Sequence, residues 1–268
     1  MLQKDPDPSL LSDVELFDVN GRCLPRNLSA PVHVKTRHYF KINPPNIDAA
    51  DIFLRCSRHL GAAASVTVLE FSGRIQRLLE KLKSDSRCQN ITHGVVVPFF
   101  IPKSSTADMG DMLERIYIPA VNSAYIEKFP TYSFTNHCQE TLQGKLAVAA
   151  GTRHDKLIQL VAKEDVVGCF FPCLLEYSVP ATREIIPRLP EQFLLAGGVD
   201  TCAALIAAPD LLFNKKNYPP LLWFAALDGD KPEAALHLEA YGYNLTFNKR
   251  CHFGQVAEYW ATGLVVLG

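Results

Sequence analysis

Residues 166–213 read VVGCFFPCLLEYSVPATREIIPRLPEQFLLAGGVDTCAALIAAPDLLF. Val167–Tyr177 is an apolar run of strand length, with Pro172 inside it, and reads as a buried strand. Thr182–Ile186, between Pro180 and Pro187, reads as one helical turn, and Leu194–Ala196 leads into Gly197-Gly198. A nearly all-apolar helix follows from about Asp200. It ends before Pro209, because the residue ahead of a proline is pushed out of α geometry. A helix without a polar face belongs in a core. Strand, proline-punctuated connection, glycine turn and buried helix together place this stretch at the centre of the fold.

Upstream, Asp48 is positioned to cap a helix over Ala49–Leu60 that stops at Gly61. Val68, Phe71, Ile75, Leu78 and Leu82 form an apolar stripe at helical spacing within 66–83. Arg74, Arg77, Lys81 and Lys83 lie mainly off that stripe. Gly94–Ile101 reads as a strand, at an edge or bulged because Pro98 lacks an amide donor. Met109–Ile118 reads as a helix kinked or ended at Pro119, with Val121–Phe129 continuing it. Tyr132–Asn136 and Leu142–Ala150 show strand alternation, and Lys156–Ala162 reads as a helix. Downstream, Leu221–Leu227 is expected to form a buried strand, then a turn at 228–232. Leu236–Phe247 reads as one long strand pairing with 221–227, followed by a short helix at Val256–Trp260 and a last strand at Leu264–Leu267.

Strands alternate with helices in the middle, and the end is antiparallel in character. This predicts an α+β fold: a single domain over 31–268 with a mixed sheet, helices packed on it and an antiparallel C-terminal hairpin. An α/β fold is the alternative. Residues 1–30 read as a loosely ordered arm, and Val32–Ile42 as a strand bearing Lys35, Arg37, His38 and Lys41.

The chain has 268 residues, 48% of them hydrophobic, and a net charge of −1, so nothing draws it to nucleic acid or an anionic membrane. The stretch MLQKDPDPSLLSDVELFD lacks the basic flank and apolar centre of a signal peptide. No apolar run reaches the ~18–20 residues of a membrane span. A cytoplasmic location is expected. None of the eight cysteines forms a CxxC pair, and the histidines are dispersed, so no metal site is predicted. No phosphate-loop, dinucleotide, zinc-protease or serine-hydrolase fingerprint is present, and no cofactor is named.

Two junctions carry reactive side chains at expected helix N-termini, where free amides hold anions. In Gly151-Thr-Arg-His-Asp155, Arg153 is suited to fork a carboxylate or phosphate, and His154 to exchange a proton near neutral pH. In Gly197-Gly198-Val199-Asp200-Thr201-Cys202, Asp200 or Thr201 is expected to cap the helix. An Asp200 cap puts Cys202 in the first turn, where a thiolate is stabilised. The expectation is a soluble enzyme or binding protein for a small anionic molecule, with His154, Asp200 and Cys202 as its catalytic groups. Arg153, Gly197, Gly198 and Thr201 would bind a small anionic ligand. The plainer readings are a helix cap with exposed charges and a core cysteine. The alternative function is non-catalytic protein–protein interaction through the arm and the basic face of the 66–83 helix. Aromatics from Trp223 to Trp260 either line a ligand pocket or fill the core or a dimer face.

Overall fold

The computed structural model describes residues 15–33, 39–46, 48–61 and 65–268. Helices α1 (Ala49–Leu60) and α2 (Val68–Ser84) precede strand β1 (Val97–Ile101). A long interrupted helix comes next: α3 (Met109–Met112), a π-helical stretch (Leu113–Tyr117) and α4 (Ile118–Lys128). Then follow β2 (Phe134–Asn136), β3 (Ala147–Val148), α5 (His154–Val161), β4 (Val166–Leu175), α6 (Val179–Ile185), β5 (Leu194–Leu195) and α7 (Gly198–Ala207). The last strands are β6 (Leu221–Trp223), β7 (Leu227–Asp228), β8 (Ala234–Tyr241), β9 (Asn244–Cys251) and β10 (Trp260–Leu267).

The expected mixed sheet is present, with eight strands among the described residues, in the order β1-β4-β10-β6-β8-β9-β2 and β5 beside β10. β10 pairs in parallel with β6, and β2 with β9, while the other pairs are antiparallel. β3 and β7 form a separate two-stranded ladder. β4 is buried along nearly its whole length, and α7 is buried at every residue, as its apolar sequence demands. α1, α2 and α7 pack over β1 and β4.

Both strand prolines sit where no ladder bond is lost. β1 is an edge strand, so Pro98 is tolerated there. β1 stops pairing at Phe170, and the β4–β10 register shifts opposite Pro172. Asp48 caps α1 through the amides of Ala50 and Asp51, and Gly61 ends it in a left-handed conformation. α2 begins with a reciprocal Thr67–Glu70 capping box.

Several elements differ from expectation for identifiable reasons. Pro119 does not end its helix. Lacking an amide hydrogen, it cannot make an α-helical bond, and the chain widens ahead of it: the Ile118 amide bonds Leu113 O. Leu236–Phe247 is not one strand but part of a hairpin, β8–β9, folded at Gly242, whose φ is +64°. Only Ala147–Val148 of 142–150 pairs, and 221–227 is divided between β6 and β7. The last strand begins at Trp260, and no helix forms over 256–260. α7 begins at Gly198, two residues early, so Asp200 lies inside the helix rather than capping it.

Of the expected arm, residues 1–14 lie outside the described residues, as do 34–38 of the expected 32–42 strand. Phe17 and Cys23 are buried, bridge each other, and tie to β4 through Cys23 N–H to Cys173 O.

Candidate functional site

The structure brings the two junctions together. Arg153 takes a left-handed conformation ahead of α5, and His154, the first residue of that helix, is fully buried. Its Nδ1 lies 3.7 Å from Asp200 Oδ2. The other Asp200 oxygen accepts from the amides of Gly197 (2.9 Å) and Thr201 (3.1 Å), while Thr201 Oγ1 donates to Gly197 O at 2.6 Å. The backbone joins them as well, through Leu195 N–H to Thr152 O.

This cluster is sealed. His154, Asp200, Thr201 and Cys202 have no exposed surface. Burial raises the Asp200 carboxyl above its ordinary range, against the pull of His154 and the Gly197 amide. Cys202 falls in the second turn of α7, and burial, reinforced by Asp200, pushes its thiol well up. Cys202 therefore has neither an Asp200 cap nor a first-turn position to stabilise a thiolate. The Arg153 guanidinium is committed to the chain itself, donating to Leu189 O, Pro190 O and Phe193 O at 2.8–3.2 Å. A Cβ on Gly198 would strike Leu113 and Phe224 at 2.7 and 3.1 Å, so no ligand approaches that glycine either.

Open space lies elsewhere. A cleft of about 500 Å³ is bounded by the 137–146 loop, the 227–231 turn and the far end of the β8–β9 hairpin. Leu142, Leu146, Leu227, Ala234 and Leu236 give it apolar walls, and Lys145, Lys231, Lys249, Glu140 and Asp230 ring it. None of the expected site residues lines it. Trp223, Phe247 and Trp260 belong to the core, and Tyr241 and Phe253 are exposed away from it.

The long interrupted helix holds the cleft's outer wall. Asp108 caps α3 through the Asp111 amide, and its second oxygen accepts from Gly144 N at 2.8 Å. Glu114, in the π-helical stretch, accepts from Leu142 N at 2.7 Å and Thr141 Oγ1 at 3.0 Å. Gly110 lets the loop approach: a Cβ there would stand 1.9 Å from Leu142 O. The wall is thus preformed, as ligand sites generally are.

The charges around the cleft are unevenly paired. Lys249 binds Asp230, holding that carboxyl below its ordinary range. Lys145 lies 3.8 Å from Glu140, whose side chain is 77% exposed, so that pair is weak. Lys231 has no salt-bridge partner among the described residues. Arg250 turns to the other face of the hairpin, where it binds Glu239 (3.1 Å) and Tyr259 (3.3 Å). His237 lies 3.7 Å from the same Glu239 and is fully buried against Trp223. Burial pushes the Cys138 thiol up to about 11 although Lys249 draws it down. The cleft therefore presents apolar surface, one weakly paired lysine, one without a salt-bridge partner among the described residues, and a thiol in its neutral form.

Sequence reasoning passed over Lys145, Lys231 and Lys249, which sit in no motif. Comparison with protein-family models, curated proteins and solved structures finds no match.

Proposed function

We propose that the protein binds a small anionic molecule, and that it does so in the 500 Å³ cleft between the 137–146 loop and the β8–β9 hairpin. The observation that carries this reading is Lys231, a cation with no salt-bridge partner among the described residues, beside the weakly paired Lys145 above an apolar floor. A carboxylate or phosphate held there keeps its charge at the rim, and its apolar portion meets Leu142, Leu146, Leu227 and Leu236. His154 and Asp200 do not line this cleft.

Calorimetric titration of the purified protein with phosphate, succinate, citrate and longer monocarboxylates tests this. Binding of at least one anion, weakened roughly tenfold in Lys231→Ala and in Lys145→Ala, is expected, since tenfold corresponds to about 1.4 kcal/mol. A silent panel, or affinities untouched by both substitutions, removes the assignment.

A further inference from the structure

β9 is covered along only half its outer edge. Parallel pairing with β2 spans Leu245–Phe247. Leu245 N–H donates to Ser133 O, and Phe247 O accepts from His137 N. Beyond that point the 137–146 loop turns away, held off by Asp108 and Glu114. Main-chain groups of alternate residues along a strand point the same way. Leu245 and Phe247 face outward, so Lys249 and Cys251 do too, and no hydrogen bond covers their outward groups among the described residues. Asn248–Cys251, the uncovered segment, is also what lines the cleft.

An open edge offers donors and acceptors in alternation. A phosphate or compact dicarboxylate uses the N–H groups and leaves the carbonyls unmatched. A peptide backbone matches both, which is how sheet edges capture extended segments. Charge narrows the choice further. The rim carries three lysines against Glu140 and Asp230, with Lys231 unmatched, so acidic side chains are favoured and basic ones repelled.

We propose that the cleft receives an acidic, extended peptide segment of a partner protein, added to β9 as a strand where β2 leaves off. The segment bonds the main chain of Lys249 and Cys251, sets an aliphatic side chain on Leu142, Leu146, Leu227 and Leu236, and brings a carboxylate two residues along, on the same face, to Lys231. Two outward residues call for three to four peptide residues, about 10–13 Å of strand. The assignment rests on the anion-binding reading of the same cleft and specifies its ligand class.

Three probes separate the two. They are the tetrapeptide Ac-Leu-Ser-Asp-Ser-amide, the same peptide N-methylated at its two central amides, and succinate. Each is titrated into the full chain and into Lys231→Ala, with amide hydrogen exchange followed at Lys249 and Cys251. The parent peptide is expected to bind, to slow exchange at both amides at least tenfold, and to weaken tenfold or more on N-methylation. Equal binding of the two peptides with no protection, or binding of succinate alone, overturns strand addition and leaves the anion site standing. Failure of the parent peptide, or a peptide affinity indifferent to Lys231→Ala, overturns strand addition; failure of all three probes together with a silent anion panel overturns both.

Discussion

A Cβ on Gly197 would lie 2.5 Å from Nε2 of His154. The glycine that precedes α7 is required because the imidazole that opens α5 rests on its backbone. Both positions are buried, so neither has room to yield. Gly197→Ala is expected to cost about 1–3 kcal/mol through overpacking. In the His154→Ala background that cost should shrink, because the ring it strikes is gone. Urea denaturation of the two single variants and the double variant measures the coupling, expected to be about 1 kcal/mol or more. Additive losses would show that the two residues do not share the space.

The same contact shows how far the residues could be read unaided. Glycine turns, a histidine and an aspartate marked both junctions, and the fold does join them. Burial could not be seen, because the residues that close the cluster come from distant elements: Leu113 from the π-helical stretch and Phe224 from beyond β6. Helix α1 was legible to its caps, since cap, stripe and stop are local. The β8–β9 hairpin was not. Tyr241 and Tyr243 alternate like strand residues, and the φ of +64° at Gly242 is the only break between them. The cleft was least legible, since it exists where pairing between β2 and β9 ends, and register is a long-range property.

Arg153 is expected to act on stability and not on ligand. Its fork ties the start of α5 to the carbonyls of Leu189, Pro190 and Phe193. Hydrogen bonds to a charged group contribute about 1.5–3 kcal/mol, so Arg153→Ala should lose an amount in that range. Arg153→Lys should recover only part, because an ammonium cannot reproduce the fork. Anion affinity at the cleft should stay within twofold in both. A variant of normal stability that has lost anion binding would return the ligand to the junction.

Gly110 should control the cleft without lining it. An alanine there drives Cβ to 1.9 Å from Leu142 O, a backbone atom that can move only with its loop. Gly110→Ala is expected to destabilise by about 1–3 kcal/mol and to weaken anion binding at least tenfold as the wall shifts. Gly73→Ala is the control. Its Cβ meets only the tip of Arg77, at 3.3 Å, and replacing a helical glycine should be neutral or stabilising by about 0.5–1 kcal/mol. If both variants bind anions normally, the 137–146 loop does not form the ligand wall.

Stability should be domed in pH, and the two limbs have different owners. Burial lowers the pKa of His59, His237 and His252 from 6.5, against the attraction of Glu127, Glu239 and Glu233 respectively. Arg250 near His237 and Arg183 near His252 push the same way as burial. A depressed histidine leaves the unfolded chain binding more protons once pH falls below 6.5, so stability present above that value is lost on acidification. Each of the three contributes a slope of up to about 1.4 kcal/mol per pH unit. Asp200 opposes them, because its raised pKa favours the folded state at lower pH, but it is one group against three. On the alkaline side, burial lifts Cys23 to about 12, Cys56 to about 11 and Cys88 to about 12, from 9.0. Unfolded thiols then ionise first, so stability is lost as pH rises through 9. Urea midpoints measured from pH 5 to 10 should therefore peak between about 7 and 8.5. His237→Phe should flatten the acid limb while leaving the alkaline limb alone. An acid limb unchanged in that variant would mean that His237 takes up its proton in the folded chain, and that the pocket beside Trp223 and Glu239 admits the charge.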